Sequence, residues 1–262
     1  MPTELERIFA FEKALDARCA ERIVPFRFGR AFFNDSFPRV WSLNYLLVDA
    51  GKDVDPGELA AEAELLHTDA GHAHRRVRVP DGTEGARLEP FFRRIGWRIE
   101  PDVVMAYRGD GERTADTSSI GETTWEDLRP LREEIARSEP WASDETVVRE
   151  VVAAGGLAKQ AGHARYFAVR VDDVPVSAAE LYSDGRIAQI EDVATLPEHR
   201  GRGYASAVVL RAVQEALAAG HDLVFLTALD DDWPKELYAR LGFEEIGRSW
   251  SFLRAPANVA LT

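Results

Sequence analysis

The chain has 262 residues, 45% of them hydrophobic and 10% aromatic, enough to bury the core of one large domain or two modest ones. Asp and Glu number 45 against 32 Lys and Arg, a net charge of −13, which speaks against nucleic acid as a partner because phosphate neutralisation needs a basic face. The single cysteine excludes an internal disulfide, no apolar run approaches the roughly 20 residues of a membrane span, and the polar start Met1-Pro2-Thr3-Glu4 is unlike a signal peptide. A cytoplasmic protein with no membrane partner is expected.

In chain order, Leu5–Cys19 has helical periodicity, with Cys19 as a small packing residue. Trp41–Val48 is a strand-like apolar run, Glu58–Thr68 a helix and Val77–Val79 a short strand. His67, His72 and His74 straddle the helix end without a convincing ligand set, so they are expected at the surface or an interface, and no metal is expected. Phe91-Phe92-Arg93-Arg94-Ile95-Gly96-Trp97 closes a helix on glycine and an aromatic, and Gly109–Gly121 is a joint rich in Gly, Asp, Thr and Ser. Beyond it come helices at Trp125–Arg137 and Thr146–Ala154, the first opened by a capping pattern at Thr124. Strands follow at Arg165–Val171, Val176–Tyr182 and Ile187–Thr195, then a helix at Ala205–Ala219 and a strand at Leu223–Ala228. A helix at Pro234–Leu241 and a strand at Arg248–Arg254 end the pattern, with Asp230-Asp231-Asp232 read as the N-cap of that helix. Hairpins followed by alternating strands and helices imply a mixed α/β sheet with helices on both faces.

The plan occurs twice. Leu237-Tyr238-Ala239-Arg240-Leu241-Gly242-Phe243 repeats the Phe91–Trp97 pattern, with Gly96 and Gly242 146 positions apart. The same offset lays Trp41–Val48 on Ile187–Ala194, Glu58–Thr68 on Tyr204–Gln214, and Val77–Val79 on Leu223–Phe225. Two similar α/β units are expected, each a mixed, largely antiparallel sheet flanked by helices, dividing the chain into 1–110 and 111–262.

The stretch most telling of chemistry is Thr195-Leu196-Pro197-Glu198-His199-Arg200-Gly201-Arg202-Gly203-Tyr204-Ala205, between a strand and a helix. Glycines at 201 and 203 permit positive φ, so successive N–H groups can face one anion. The helix start adds its positive dipole end, and Arg200 and Arg202 add charge. This is a diphosphate cradle without the Gly-Lys-Ser/Thr of a Walker loop or the spacing of a dinucleotide fingerprint. Arg200-x-x-Gly203-x-Ala205 closely resembles the acetyl-CoA motif of the GNAT acyltransferases, and Tyr238, Gly242 and Phe243 match a late element of that family. The resemblance runs from about Thr124 to Arg254.

That resemblance implies direct transfer of an acyl group from acetyl-CoA, as co-substrate, to an amine. It places the carrier on Val193, Thr195, Arg200, Gly201, Arg202, Gly203, Tyr204, Ala205 and Ser206. It suggests Glu191 as base, with neighbouring Asp192 expected on the opposite strand face unless a bulge intervenes, and Tyr238 as acid. In the first unit Glu191 falls on Tyr45, Tyr238 on Phe92, Arg200 on Val54 and Arg202 on Pro56. That unit therefore reads as degenerate, without a carrier site of its own. Asp230–Asp232 and the overall acidity favour a cationic amine. A non-catalytic acyl-CoA-binding scaffold and a different donor, such as an aminoacyl-tRNA, stay open, as do monomer and homodimer.

Overall fold

The computed structural model describes residues 1–109, 111–139, 141–142 and 144–256. The first half contains helix α1 (Glu4–Cys19), strands β1 (Arg22–Phe26), β2 (Gly29–Phe33) and β3 (Tyr45–Val48), helix α2 (Pro56–Asp69), strand β4 (Arg75–Val79), helix α3 (Gly82–Arg94) and strand β5 (Arg98–Tyr107). The second contains β6 (Gly121–Thr123), helices α4 (Trp125–Ser138) and α5 (Glu145–Ala161), strands β7 (Arg165–Val171), β8 (Val174–Asp184) and β9 (Ile187–Thr195), helix α6 (Tyr204–Ala218), strand β10 (Leu223–Leu229), helix α7 (Pro234–Arg240) and strand β11 (Phe243–Arg254). The 146-residue offset holds for the whole run from β3 to β5 against β9 to β11. Only the front of Trp41–Val48 departs, since Trp41–Leu43 forms a 3-10 turn before β3.

All strands join one sheet, in the order β1-β2-β3-β4-β11-β5-β10-β9-β8-β7-β6. The halves exchange their last strands: β11 lies between β4 and β5, and β5 between β10 and β11. At the centre β5 and β11 run antiparallel, and the pairs Pro101↔Trp250 and Val104↔Gly247 are images of one another under the offset. An approximate twofold axis therefore passes through the sheet between Asp102/Val103 and Arg248/Ser249.

Side-chain alternation along β5 sorts the helices into two layers. Val103 and Met105 pack with α6 and α7, and Ile99 with α2 and α3 beside Phe252 of β11. Val104 and Ala106 face the other way, onto Ile8, Phe11 and Leu15 of α1 and Ala158 of α5. Thus α1, although early in the chain, covers strands of the second half.

The three histidines are not at the surface. His67 and His74 are fully buried and His72 nearly so, with ring centroids 4.9–5.4 Å apart. The backbone holds them inside: His67 Nε2 accepts from Arg76 N–H at 3.2 Å, and His74 Nε2 donates to Asn44 O at 2.9 Å. Burial pushes the imidazoles of His67 and His74 down to about 3, which keeps them neutral. Among the described residues no group of three or more His, Cys, Asp or Glu is placed to hold a metal ion, and no helix is long and apolar enough to cross a membrane.

Phe252, carried by the exchanged β11, stacks on Phe92 of the first half at 4.3 Å and is fully buried. Phe252→Ala should cost about 3–5 kcal/mol, measured by urea denaturation. Because β11 is shared, fluorescence and circular dichroism should report one common shifted transition.

Candidate active site

The parallel neighbours β9 and β10 pair only over Ile187–Gln189 and Leu223–Phe225. Beyond that they part. β10 stays with β5 through Leu229, and β9 stays with β8 through Thr195, leaving a wedge at the carboxyl ends of two parallel strands, a preferred place for ligands in such sheets. Leu196 N–H donates back to Val176 O on the β8 side at 3.0 Å. By strand alternation, the N–H groups of Val193 and Thr195 then face the open edge.

The loop from β9 into α6 has the conformation its glycines allow. Gly201 and Gly203 sit at φ of +76° and +82°, in the left-handed region where a side chain costs energy. Gly203 is the N-cap of α6 and no side chain caps it, so the first N–H groups of the helix, from Tyr204 to Ser206, have no partner within the helix. Arg200 Nε donates to Thr195 O at 3.2 Å, Arg202 reaches Glu198 O at 3.4 Å, and both residues are exposed. The Ser206 side chain is buried, so this residue offers the loop its backbone N–H. Oriented donors, a helix dipole and two guanidinium groups suit a diphosphate.

The corresponding place in the first half is filled from within. Asp55 caps α2 by accepting from Glu58 N–H at 2.9 Å, and Pro56 at the first turn lacks an N–H. Tyr45 is buried with its hydroxyl on Asp16, and Phe92 is locked in its stack.

The two acidic residues of β9 do not face opposite ways. The β8–β9 register slips between Ala178↔Ala194 and Glu180↔Glu191, and Asp192 has φ of +51°. This is a β-bulge, which turns two successive side chains to one face. Ile190 and Val193 pack on the α6 side. Glu191 instead accepts from Gln189 Nε2, and Asp192 reaches Lys159 of α5 at 3.2 Å.

Their protonation behaviour diverges. Burial, with the charges of Asp192 and Glu12 adding to it, pushes Glu191 up to about 8. Asp192 is half exposed, and Arg132 and Lys159 outweigh its partial desolvation and hold it below the ordinary carboxylate range. The bulge rests on a buried charge network: Glu180, fully buried, pairs with Lys159 at 2.9 Å and Arg132 at 2.8 Å, while Tyr182 donates to Glu180 at 3.0 Å. Lys159 also lies 4.4 Å from the Trp125 ring centroid, a favourable cation–π contact.

Tyr238 on α7 is almost buried, edge-on to Phe243 at 6.1 Å. Burial first, and the nearby charges of Glu191 and Asp232, push its phenol up to about 12. Asp230–Asp232 do not cap α7. The N-cap is Trp233, with no side-chain bond, because Asp230 is engaged by Lys235 at 2.7 Å and Arg248 at 2.6 Å.

The first half adds groups that the sequence did not flag. Glu12 of α1, pushed up to about 7 by burial, and Asp102 of β5, up to about 6 for the same reason, are coupled to each other and to Arg78. Glu12 also acts on Glu191. Their signal was tertiary. Lys159 and Arg132 were more legible, since both fall on the apolar stripes of their helices, beside Val148 and Val152 or Leu128 and Leu131.

The sequence model of the Acetyltransferase (GNAT) family matches residues 125–243, the stretch that builds this wedge, loop and bulge. Residues 125–243 are a GNAT-family domain. Among solved structures, the chain is similar in fold to a functionally unknown conserved protein of Staphylococcus epidermidis, with TM-score 0.70, 15% identity, and 90% of this chain and 94% of that one covered. It is similar to a GCN5-related N-acetyltransferase from Kribbella flavida, with TM-score 0.62, 20% identity, and 96% and 95% coverage. It is also similar to a tandem GNAT protein from the clavulanic acid biosynthesis pathway, with TM-score 0.53, 15% identity, and 81% and 74% coverage. No curated protein matches the sequence. These likenesses fit a mixed α/β GNAT fold across both halves.

Removing Glu180 while Arg132 and Lys159 stay buried should be costly. Glu180→Ala should lose about 3–5 kcal/mol in urea denaturation, whereas Arg149→Ala on the exposed side of α5 should lose under about 0.5 kcal/mol.

Proposed function

We propose that the protein transfers an acyl group, acetyl in the simplest case, from acyl-CoA to a primary amine of a small molecule or peptide, at one site in the second half. The observation that carries this reading is that one wedge between β9 and β10 joins an uncapped, arginine-flanked helix start to a carboxyl poised near 8 and a buried phenol. Bound there, acyl-CoA supplies the activated acyl group. Arg200, Gly201, Arg202, Gly203, Tyr204, Ala205 and Ser206 fit its diphosphate, and the open-edge N–H groups of Val193 and Thr195 suit its arm and thioester carbonyl.

Glu191 takes a proton from the incoming ammonium, directly or through water, freeing the nitrogen lone pair. The nitrogen–carbon bond forms as the carbon–sulfur bond breaks, Tyr238 gives its proton to the leaving thiolate, and the second proton shed by the acylated nitrogen passes through water to the tyrosinate. Asp192, held ionised by Lys159, is suited to fixing the bulge rather than to accepting a proton at neutral pH. Glu12, Asp102 and Asp232 make the surroundings acidic, which favours a cationic acceptor such as a polyamine, an aminoglycoside or a peptide amino terminus. The first half, with its internal cap at Asp55, shapes the substrate and holds no carrier.

Isothermal calorimetry with acetyl-CoA should give one site per chain, weakened at least about tenfold in Arg200→Ala/Gly203→Asp. Two sites would restore a carrier to the first half, and no binding would overturn the proposal. The base must be unprotonated, and its pKa is raised to about 8, so kcat/KM should rise with pH and level off above about 8. Glu191→Gln should abolish that rise and lower kcat by about 10²–10⁴. Tyr238→Phe should lower kcat with little change in acetyl-CoA affinity.

A further inference from the structure

The joint between the halves brings one side chain beside the proposed carrier site. After β5, Arg108 N–H donates to Gly242 O at 2.8 Å, and Arg113 N–H to Arg240 O at 2.9 Å, so the chain is stapled to the end of α7. Gly111 permits the approach: a Cβ there would stand 2.5 Å from the Leu241 carbonyl carbon and 2.7 Å from Gly242 N. Further on, Thr117 Oγ1 donates to Gln214 of α6 at 2.9 Å. The joint therefore runs along α6 from its start toward its end.

This path sets Arg113 beside the loop. Its Nη2 lies 3.9 Å from where a Cβ on Gly203 would be. Although acidic residues outnumber basic ones, Arg113, Arg200 and Arg202 have no carboxylate within ion-pair distance among the described residues. Arg113 thus adds a guanidinium beside a helix start that has no side-chain cap and whose loop carries Arg200 and Arg202. Arg113 also lies outside the stretch matched by the family.

We infer that Arg113, delivered by the joint, is a further binding residue of the site and contacts a phosphate of the acyl carrier. The inference rests on the acyl-CoA reading above. A planar guanidinium offers paired donors to phosphate oxygens, so a carrier seated at Gly203 is held from two sides, by the α6 loop and by the joint.

The test is calorimetric titration of CoA and of 3′-dephospho-CoA into the full chain. The proteins compared are wild type, Arg113→Ala, Arg113→Lys and, as a control for overall charge, Arg149→Ala. Arg113→Ala should weaken CoA binding about tenfold with unchanged unfolding temperature, Arg113→Lys should recover only the part due to charge, and Arg149→Ala should bind like wild type. Equal losses for both carriers place Arg113 on the diphosphate, and a loss confined to CoA places it on the 3′-phosphate; either supports the inference. An Arg113→Ala protein that binds CoA as wild type does, while wild type binds it, overturns this inference alone. Wild type that binds no CoA overturns the acyl-CoA reading along with it.

Discussion

The antiparallel pairing of β5 with β11 is the constraint on which the rest of the molecule depends. Each strand is the last of its half, and each is inserted into the other's part of the sheet. β5 flanks β10 from Phe225 through Leu229 while β9 leaves it, so the wedge can open without stripping β10 of its hydrogen bonds on both sides. A buried strand with one edge unpaired must still satisfy its backbone groups. The first half supplies the partner for the other edge of β10, and sends α1 across the sheet to bury the opposite face of the same strands.

Within that frame, the reactive region is shaped by an exchange between packing and charge. The bulge at Asp192 puts a non-glycine residue in the left-handed region, which costs of order 1–3 kcal/mol unless surroundings compel it. Lys159 and Arg132 compel it from α5 and α4, with Glu180 neutralising them from below. Among the described residues Glu191 has no cation within ion-pair distance, and burial with like charges around it raises its carboxyl to about 8. Two adjacent carboxyl groups thereby acquire opposite shifts from their neighbours alone, one raised above and one held below the ordinary carboxylate range.

Much of this was legible in the sequence because it is local. Periodicity located the helices and strands of the second half other than β6 to within a few residues at most ends, with α5, β8 and β11 running longer. The glycines at 201 and 203 announced the loop, and the 146-residue offset announced the duplication. What was hidden is non-local. No local pattern says that β5 will leave its own half, that Arg113 will be stapled against α7, or that Glu12 will act on Glu191. The histidines were misread because imidazoles near a helix end look solvated until Phe33 and Trp41 close over them. The bulge could be named as an alternative but not chosen, since its cause lies on two other helices.

The cap at Asp55 has a further consequence. A carboxylate tethered three residues from the N–H it binds is present at an effective concentration far above that of any free metabolite. It behaves as a resident competitor that diffusion cannot remove. For an outside anion to seat on α2, it must first displace Asp55 and strand that carboxylate beside Asp53. The start of α6, capped by a glycine, has no such tenant. At the duplicated helix end one short acidic side chain takes the place of an outside anion, on an extended cap where the start of α6 has a left-handed one.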